Sequence, residues 1–305
     1  MQTRLTTPFT RCRVGVGRRD ITPPVGIYHT AWGAASHDVA EGVHRPLLAT
    51  VAVFAPLADD GPVLALAAVD HLGLRPGPDT DAVRRTICAR GGVDDANLII
   101  NLSHTHSSAN ASLWQTDRPG GHLIGPFLER LAERVGDAVA EARGRLTPAW
   151  LAWGEGRCGL AINRDLWDPA ARRWACGFNP ARAADETVLV GRATSDDGRT
   201  LATFVNYACH PTTLAWQNRL LSPDYVGGMR DVLEPAFGAP ALFLQGASGD
   251  QGPRHGYVGD PAIADRNGRQ LGHAAAAAIE ALAPPGQTFA YTGIVESGAP
   301  LATWA

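Results

Sequence analysis

The sequence predicts an α/β protein in which mixed β-sheets are flanked by helices. Three observations support this class: short apolar segments with the length of buried strands, amphipathic segments at helical spacing between them, and two strands joined by a tight turn. Hydrophobic residues make up 45% of the 305 residues and charged residues 19%, which is enough apolar material for a large core. Neither a repeat nor a long linker interrupts the pattern, so residues 1–305 are predicted to form a single domain.

The predicted elements alternate in type along the chain. The strands are nearly continuous apolar runs bounded by turn residues, which is typical of strands buried on both faces. The clearest helix, over 127–142, has its apolar residues on one stripe and Glu and Arg elsewhere. In order, we predict strands over 47–55 and 63–70, a helix over 81–90, a strand over 97–102, a helix over 127–142, a hairpin over 188–208, a helix over 222–234, a strand over 241–244 and a helix over 264–282.

Composition excludes several classes of partner. The 27 basic and 30 acidic residues give a net charge of −3 without a Lys/Arg-rich run, which argues against a nucleic-acid partner. The five cysteines are scattered and the N-terminus lacks an apolar segment, so we expect a cytoplasmic location. We expect no membrane span, because no apolar stretch reaches ~18 residues. The sequence gives no indication of the oligomeric state.

Three predicted strands end in unusual polar sequence: N-L-S-H-T-H-S at 101–107, N-Y-A-C-H-P-T-T at 206–213 and Q-G-A-S-G-D-Q-G-P-R at 245–254. If His104 and His106 continue the strand, they lie on one face ~7 Å apart, which suits one metal ligand and one acid/base group. His210 comes from a different strand. Histidines that converge from separate strands predict a zinc-type hydrolytic site; the alternative is hydrogen-bonded structural histidines.

Two other motifs are incomplete. G-V-G-R-R-D at 15–20 has two glycines of a dinucleotide fingerprint, but it lacks the third and runs into I-T-P-P, which opens no helix. G-A-S-G-D at 246–250 resembles a nucleophile elbow, yet Asp250 stands where that motif requires glycine. A serine hydrolase therefore stays as an alternative, with Ser248 as its candidate nucleophile.

The polar stretches, taken in order, resemble the N-terminal catalytic region of the neutral (non-lysosomal) ceramidase family. The resemblance runs from residue 14 to residue 254 through G-V-G-R-R-D-I-T-P-P, G-V-H-R-P-L-L-A-T-V-A-V-F, S-H-T-H-S, A-I-N-R-D, N-Y-A-C-H-P-T-T, S-P-D-Y-V-G-G-M and Q-G-A-S-G-D-Q-G-P-R. It implies a ceramidase-like catalytic domain and Zn²⁺-dependent hydrolysis of an amide in a small-molecule or lipid-like substrate.

The resemblance also implies roles for individual residues. His104 and His210 would be zinc ligands, and His106 would face the substrate as a catalytic acid/base. Arg164 would bind a carboxylate or another polar end of the substrate. Asp250 would act as a catalytic group that orients a histidine or the loop, or it would only stabilise a turn.

The chain departs from the family pattern in two ways. Gly252 stands where the family has a serine, so water is the expected nucleophile. A glutamate and a tyrosine that complete the family's zinc sphere lie further downstream, and the apolar ending indicates a C-terminally short member. Asp70, Asp224 and His37 are open candidates for the remaining ligands. These departures keep a further alternative open, a non-catalytic or incomplete ceramidase-like binding domain.

Four tryptophans lie near the polar motifs in the sequence. They are candidates for an apolar pocket wall, and ordinary packing is the alternative. They are Trp32, Trp114, Trp167 and Trp216.

Overall fold

The computed structural model describes residues 3–58 and 61–305. Its helices are α1 (Pro78–Gly91), α2 (Ile124–Gly144), α3 (Tyr225–Phe237) and α4 (Pro261–Glu280). Its strands are β1 (Arg4–Thr6), β2 (Thr10–Asp20), β3 (Gly42–Val43), β4 (Leu48–Ala55), β5 (Leu64–Val69), β6 (Leu98–Leu102), β7 (Thr147–Arg157), β8 (Ala161–Asn163), β9 (Asp165–Asp168), β10 (Arg173–Cys176), β11 (Thr187–Ser195), β12 (Thr200–Tyr207), β13 (Leu220–Leu221), β14 (Ala241–Gln245), β15 (Gln251–Pro253), β16 (Thr288–Glu296) and β17 (Pro300–Trp304).

The centre of the fold is an eight-stranded sheet with the order β14-β12-β11-β7-β2-β4-β5-β6. The pairs β5–β6 and β12–β14 are parallel, whereas the strands between them pair antiparallel. The sheet is therefore mixed, and the predicted α/β class is confirmed. Near the two ends of the chain, β1, β16 and β17 form a separate three-stranded sheet.

The helices pack on one face of the central sheet, and glycines in the strands allow them to approach closely. A Cβ atom on Gly17 would stand 2.1 Å from the Ala138 carbonyl oxygen in α2, and one on Gly15 would stand 2.0 Å from the Ala142 oxygen. No side chain fits there without backbone movement. The G-V-G pair at 15–17 thus serves helix packing. A cofactor fingerprint is not needed to explain it.

The opposite face of the sheet packs against itself because the sheet curls. Phe54 on β4 and Phe204 on β12 lie four strand positions apart, about 19 Å in a flat sheet. Their ring centroids are only 6.0 Å apart. Apolar side chains from most of the strands meet in the interior that this curvature creates, among them Val14, Ala52, Leu151 and Leu242.

The curl brings the two edge strands together. The Asn101 side chain on β6 donates to the Gln245 carbonyl oxygen on β14 at 3.3 Å and accepts from the Gln245 amide at 2.8 Å. Asn101 is the second-last residue of β6, and Gln245 is the last residue of β14. The polar segments that follow β6 and β14 therefore begin side by side.

Every helix and strand that the sequence predicts is present, with bounds that differ by a few residues. The longer strands β2 and β7, the β9–β10 and β16–β17 pairs and the short strands β1, β3, β8, β13 and β15 were not predicted. All five cysteines are free thiols. Among the described residues, no helix has both the length and the apolar content of a membrane-spanning segment.

Candidate metal centre

The two histidines of S-H-T-H-S do not continue a strand. β6 ends at Leu102, and His104 has a φ of 65°, in the left-handed region. Its backbone amide donates to the His71 carbonyl oxygen at 2.9 Å, which holds the turn. The prediction of two extended residues ~7 Å apart is therefore wrong. The turn places the His104 and His106 ring centroids 5.0 Å apart.

His210 completes a cluster of three imidazoles. It follows β12, and its backbone amide donates to the Gln251 carbonyl oxygen at 3.1 Å. Its ring centroid lies 4.7 Å from that of His104 and 5.1 Å from that of His106. The Nε2 atoms of His106 and His210 are 3.2 Å apart. One nitrogen from each of the three rings falls within 4.8 Å of the others, so a single ion can contact all of them.

Backbone carbonyls orient two of the three rings. The Leu72 carbonyl oxygen lies 2.6 Å from His104 Nδ1, and the Ser248 carbonyl oxygen lies 3.2 Å from His210 Nδ1. A carbonyl only accepts, so both Nδ1 atoms carry the proton and both Nε2 lone pairs remain available. This support is typical of histidines that bind metals. His106 differs, because its buried Nδ1 has no partner among the described residues.

The environment keeps two of the histidines, His106 and His210, neutral. Burial, followed by the nearby His210 and His104, lowers the pKa of His106 to about 3. Burial, followed by the charge of Arg164, lowers the pKa of His210 to about 4. Neutral imidazoles with free Nε2 atoms are the form that binds a transition metal. The donor set therefore fits an ion such as Zn²⁺, for which His nitrogens are common ligands.

Arg164 and Asp250 lie on the loops beside the cluster. The Arg164 guanidinium donates from Nε and Nη2 to the Gly249 carbonyl oxygen, at 3.1 and 2.9 Å. Its backbone amide donates to the Asp250 carbonyl oxygen at 2.8 Å. The Asp250 carboxylate accepts from the Asn163 side chain at 3.0 Å. Asp250 thus fixes the segment that carries Arg164, and a role in orienting a histidine stays a prediction.

The open candidates for further ligands are engaged elsewhere. Asp70 forms a buried ion pair with Arg230, and Asp224 caps the N-terminus of α3 through the Tyr225 amide. His37 Nε2 lies 3.2 Å from His29 Nδ1. Within the described ranges, no carboxylate or thiolate joins the three histidines.

Ser248 and Gly252 lie next to the cluster. The Ser248 hydroxyl accepts from Gln245 Nε2 at 2.6 Å, while His210 contacts only the Ser248 carbonyl. No histidine stands ready to take the hydroxyl proton among the described residues, which disfavours the serine-hydrolase alternative. Gly252 is buried in β15, and a Cβ atom there would stand 3.4 Å from the Tyr257 hydroxyl and 3.5 Å from Arg164 Cδ.

Aromatic residues border His106. The Trp32 ring centroid is 5.0 Å from that of His106, and the Trp216 and Tyr257 rings meet Trp32 at 5.9 and 6.0 Å. Two of the four tryptophans singled out in the sequence thus reach the site. Trp114 is 82% exposed, and Trp167 pairs with Trp174 across β9 and β10. Sequence reasoning missed Tyr257; its position five residues after Gly252 is the only signal.

Solved structures of ceramidases share this fold. A ceramidase complexed with C2 matches with a TM-score of 0.73 and 20% sequence identity, over 90% of this chain and 44% of that chain. The neutral ceramidase from Pseudomonas aeruginosa matches with a TM-score of 0.72 and 20% identity, over 90% of this chain and 45% of that chain. The fold is ceramidase-like. This confirms the resemblance that the ordered motifs predict.

The likeness has a defined extent. The chain spans less than half the length of both ceramidase structures. No protein-family model matches the chain. The comparison therefore shows the fold.

Proposed function

We propose that the chain is a zinc-dependent hydrolase that cleaves an amide or related bond in a small or lipid-like substrate. The observation that carries this proposal is the convergence of His104, His106 and His210 from two separate segments at a metal-compatible spacing. The ceramidase-like fold supports amide hydrolysis, because both matching structures are ceramidases.

His104 and His210 would hold the ion. Both rings are fixed by backbone carbonyls, so their Nε2 atoms are preorganised and little ordering is needed on binding. When bound, zinc would polarise the scissile carbonyl and lower the pKa of a water molecule towards neutrality.

His106 moves the proton. Its Nδ1 has no partner among the described residues and burial keeps the ring neutral, which is the form that can accept a proton from water before it donates. The C–N bond breaks, the hydroxyl of water joins the carbonyl carbon, and the proton passes through His106 to the leaving nitrogen. Arg164 binds a polar end of the substrate, and Asp250 fixes its loop through Asn163.

A second candidate function is a ceramidase-like domain that binds without turnover. Gly252 favours it, because this buried position beside Arg164 offers no hydroxyl. Turnover decides between the two. That residues 1–305 form one hydrolase domain and that the protein is cytoplasmic are further proposals, which rest on the sequence alone.

The test is the zinc content of the purified chain, compared with His210→Ala and with His273→Ala, an exposed histidine on α4 that serves as the control. We expect about one zinc per chain in the wild type and in the control, and none in His210→Ala. Hydrolysis of N-acylsphingosine and of shorter N-acyl amines is then followed with and without chelator. Zinc-independent turnover would contradict the metal role, and a zinc-loaded chain without turnover would favour the binding domain.

His106→Ala separates ligand from proton carrier. We expect it to retain zinc and to lose about 100-fold or more in kcat, the usual contribution of a positioned acid/base. Loss of zinc in this variant would make His106 a third ligand and would leave the hydrolase proposal intact.

A further inference from the structure

Arg164 presents a positive charge that none of the described acidic residues neutralises through an ion pair. Its guanidinium donates to the neutral Gly249 carbonyl, and no carboxylate lies within ion-pair distance among the residues the structure describes. Asp250, the nearest acidic residue on that loop, directs its carboxylate to Asn163. Arginines that are half-buried normally find an anionic partner, so this one points to an anion from outside the chain.

The guanidinium is fixed relative to the histidine cluster. The carbonyls of two consecutive residues hold both groups: Ser248 accepts from His210, and Gly249 accepts from Arg164. An anion bound by Arg164 therefore lies beside the histidine cluster, as a substituent close to the scissile amide would.

Tyr257 places a hydroxyl beside the guanidinium. Its φ is 58°, an unusual value for a bulky side chain, and its backbone amide donates to the Thr212 carbonyl oxygen at 3.0 Å. Its hydroxyl lies 3.0 Å from Cys176 Sγ and faces Arg164. Gly252 leaves both groups uncovered, because a Cβ atom there would contact each of them.

We propose that Arg164 and Tyr257 form a carboxylate subsite, and that the substrate is an N-acyl amino acid or a related amide with a carboxylate close to the scissile bond. This inference rests on the proposed amide hydrolysis and names its substrate class. A carboxylate accepts from a guanidinium and a hydroxyl at once, and it balances the positive charge of a metal-loaded centre that has no acidic residue among the described residues.

Two matched pairs of probes test it on the zinc-loaded chain. The substrates are N-octanoylglycine and N-octanoylethanolamine, which differ only in carboxylate against hydroxymethyl. The second pair cannot be cleaved, because CH₂ replaces the amide N–H; its members are a keto acid and a keto alcohol. Their binding is measured by calorimetry. We expect the carboxylate member to be favoured by about tenfold or more in both kcat/KM and Kd, since a charged hydrogen bond is lost in the other.

Variants assign the preference to the two residues. Arg164→Gln should bring the Kd ratio of the keto acid to the keto alcohol close to one. Tyr257→Phe should weaken the keto acid severalfold and change the keto alcohol less. Arg254→Gln is the control for the loss of one positive charge. Arg254 lies two residues after Gly252, is exposed and contacts the Gly159 carbonyl oxygen. This variant should keep the wild-type ratio of the two Kd values.

The outcomes separate this inference from the proposed function. Equal binding of the two ketones by the wild-type chain would overturn the subsite, and this result does not depend on whether Arg164→Gln folds. The subsite is also overturned if Arg254→Gln loses the preference for the keto acid as fully as Arg164→Gln does. Carboxylate preference in binding without hydrolysis of either amide would overturn the hydrolase and retain the subsite. Hydrolysis of both amides at equal rates would retain the hydrolase and overturn the subsite.

Discussion

Replacement of Asp70 by asparagine distinguishes a structural carboxylate from a metal ligand. Asp70 is 1% exposed at the end of β5, and its two oxygens accept from Arg230 at 2.6 and 2.9 Å. One of them also accepts from the Leu48 amide at 2.9 Å. Because the pair ties β5 to α3 and β4, Asp70→Asn should destabilise the fold and leave the zinc content of the folded chain unchanged.

The magnitude follows from what remains in the interior. The amide oxygen of the introduced asparagine still accepts one hydrogen bond, but Arg230 keeps its charge in a position that is 5% exposed. Removing one partner of a buried ion pair typically costs about 3–5 kcal/mol, mostly because the other charge is left uncompensated. Asp95→Asn provides the comparison, since the Asp95 side chain in the Arg84 pair is 70% exposed. There we expect less than about 1 kcal/mol.

The assay is urea unfolding in the presence of chelator, because bound metal would add its own contribution to the free energy of unfolding. If Asp70→Asn fails to fold, the double replacement of Asp70 by leucine and Arg230 by methionine should recover a folded chain, since no charge is then buried alone. A free energy of unfolding within about 1 kcal/mol of wild type would refute the ion-pair reasoning. Loss of zinc from folded Asp70→Asn would return Asp70 to the metal ligands.

Three further predictions follow from packing and burial. Gly17→Ala should lower the free energy of unfolding by about 1–3 kcal/mol in urea, because its Cβ would meet the Ala138 carbonyl oxygen at 2.1 Å; unchanged stability would contradict that contact. Burial lowers the pKa of His71 to about 4, below that of the unfolded chain, so the free energy of unfolding should fall by up to about 3 kcal/mol from pH 6.5 to 4. His29, His106 and His210, whose pKa values burial also lowers, add their own contributions, so His71→Gln should reduce the dependence by its share without abolishing it; an identical pH curve would exclude a contribution from His71. Trp32→Ala should speed the reaction of His106 with diethyl pyrocarbonate, because the indole packs 5.0 Å from its ring; an unchanged rate would show that Trp32 does not shield it.

The local sequence pattern was sufficient to predict the helices and strands whose apolar residues follow a regular spacing. The apolar stripe of α2 has period 3.6, and the interior strands are continuous apolar runs, so both were predicted from neighbours in sequence. β2 was missed because Arg18 and Arg19 make it read as polar. Their partners are Glu234 and Glu141, which are distant in sequence. The neighbouring residues of β2 therefore do not show that these two arginines belong to a strand of the central sheet.

In the candidate site too, the sequence predicted some features and not others. Residue types at the strand ends, together with the ordered family resemblance, predicted which histidines belong together. Their mutual geometry depends on the left-handed turn at His104, which the sequence does not signal: non-glycine residues rarely adopt it. Tyr257 was missed for a related reason. Its approach to Arg164 depends on another left-handed residue and on the absent side chain of Gly252.

The curl of the central sheet explains why these segments meet at all. His104 and His106 follow β6, whereas the carbonyls that orient His210 and Arg164 follow β14, at the opposite edge of the strand order. In a flat sheet, those edges would lie about 34 Å apart. The paired hydrogen bonds of Asn101 with Gln245 close this gap just before both polar segments begin. The histidine cluster therefore depends on the curl of the sheet, and any residue that sets the curvature also sets the spacing of the histidines.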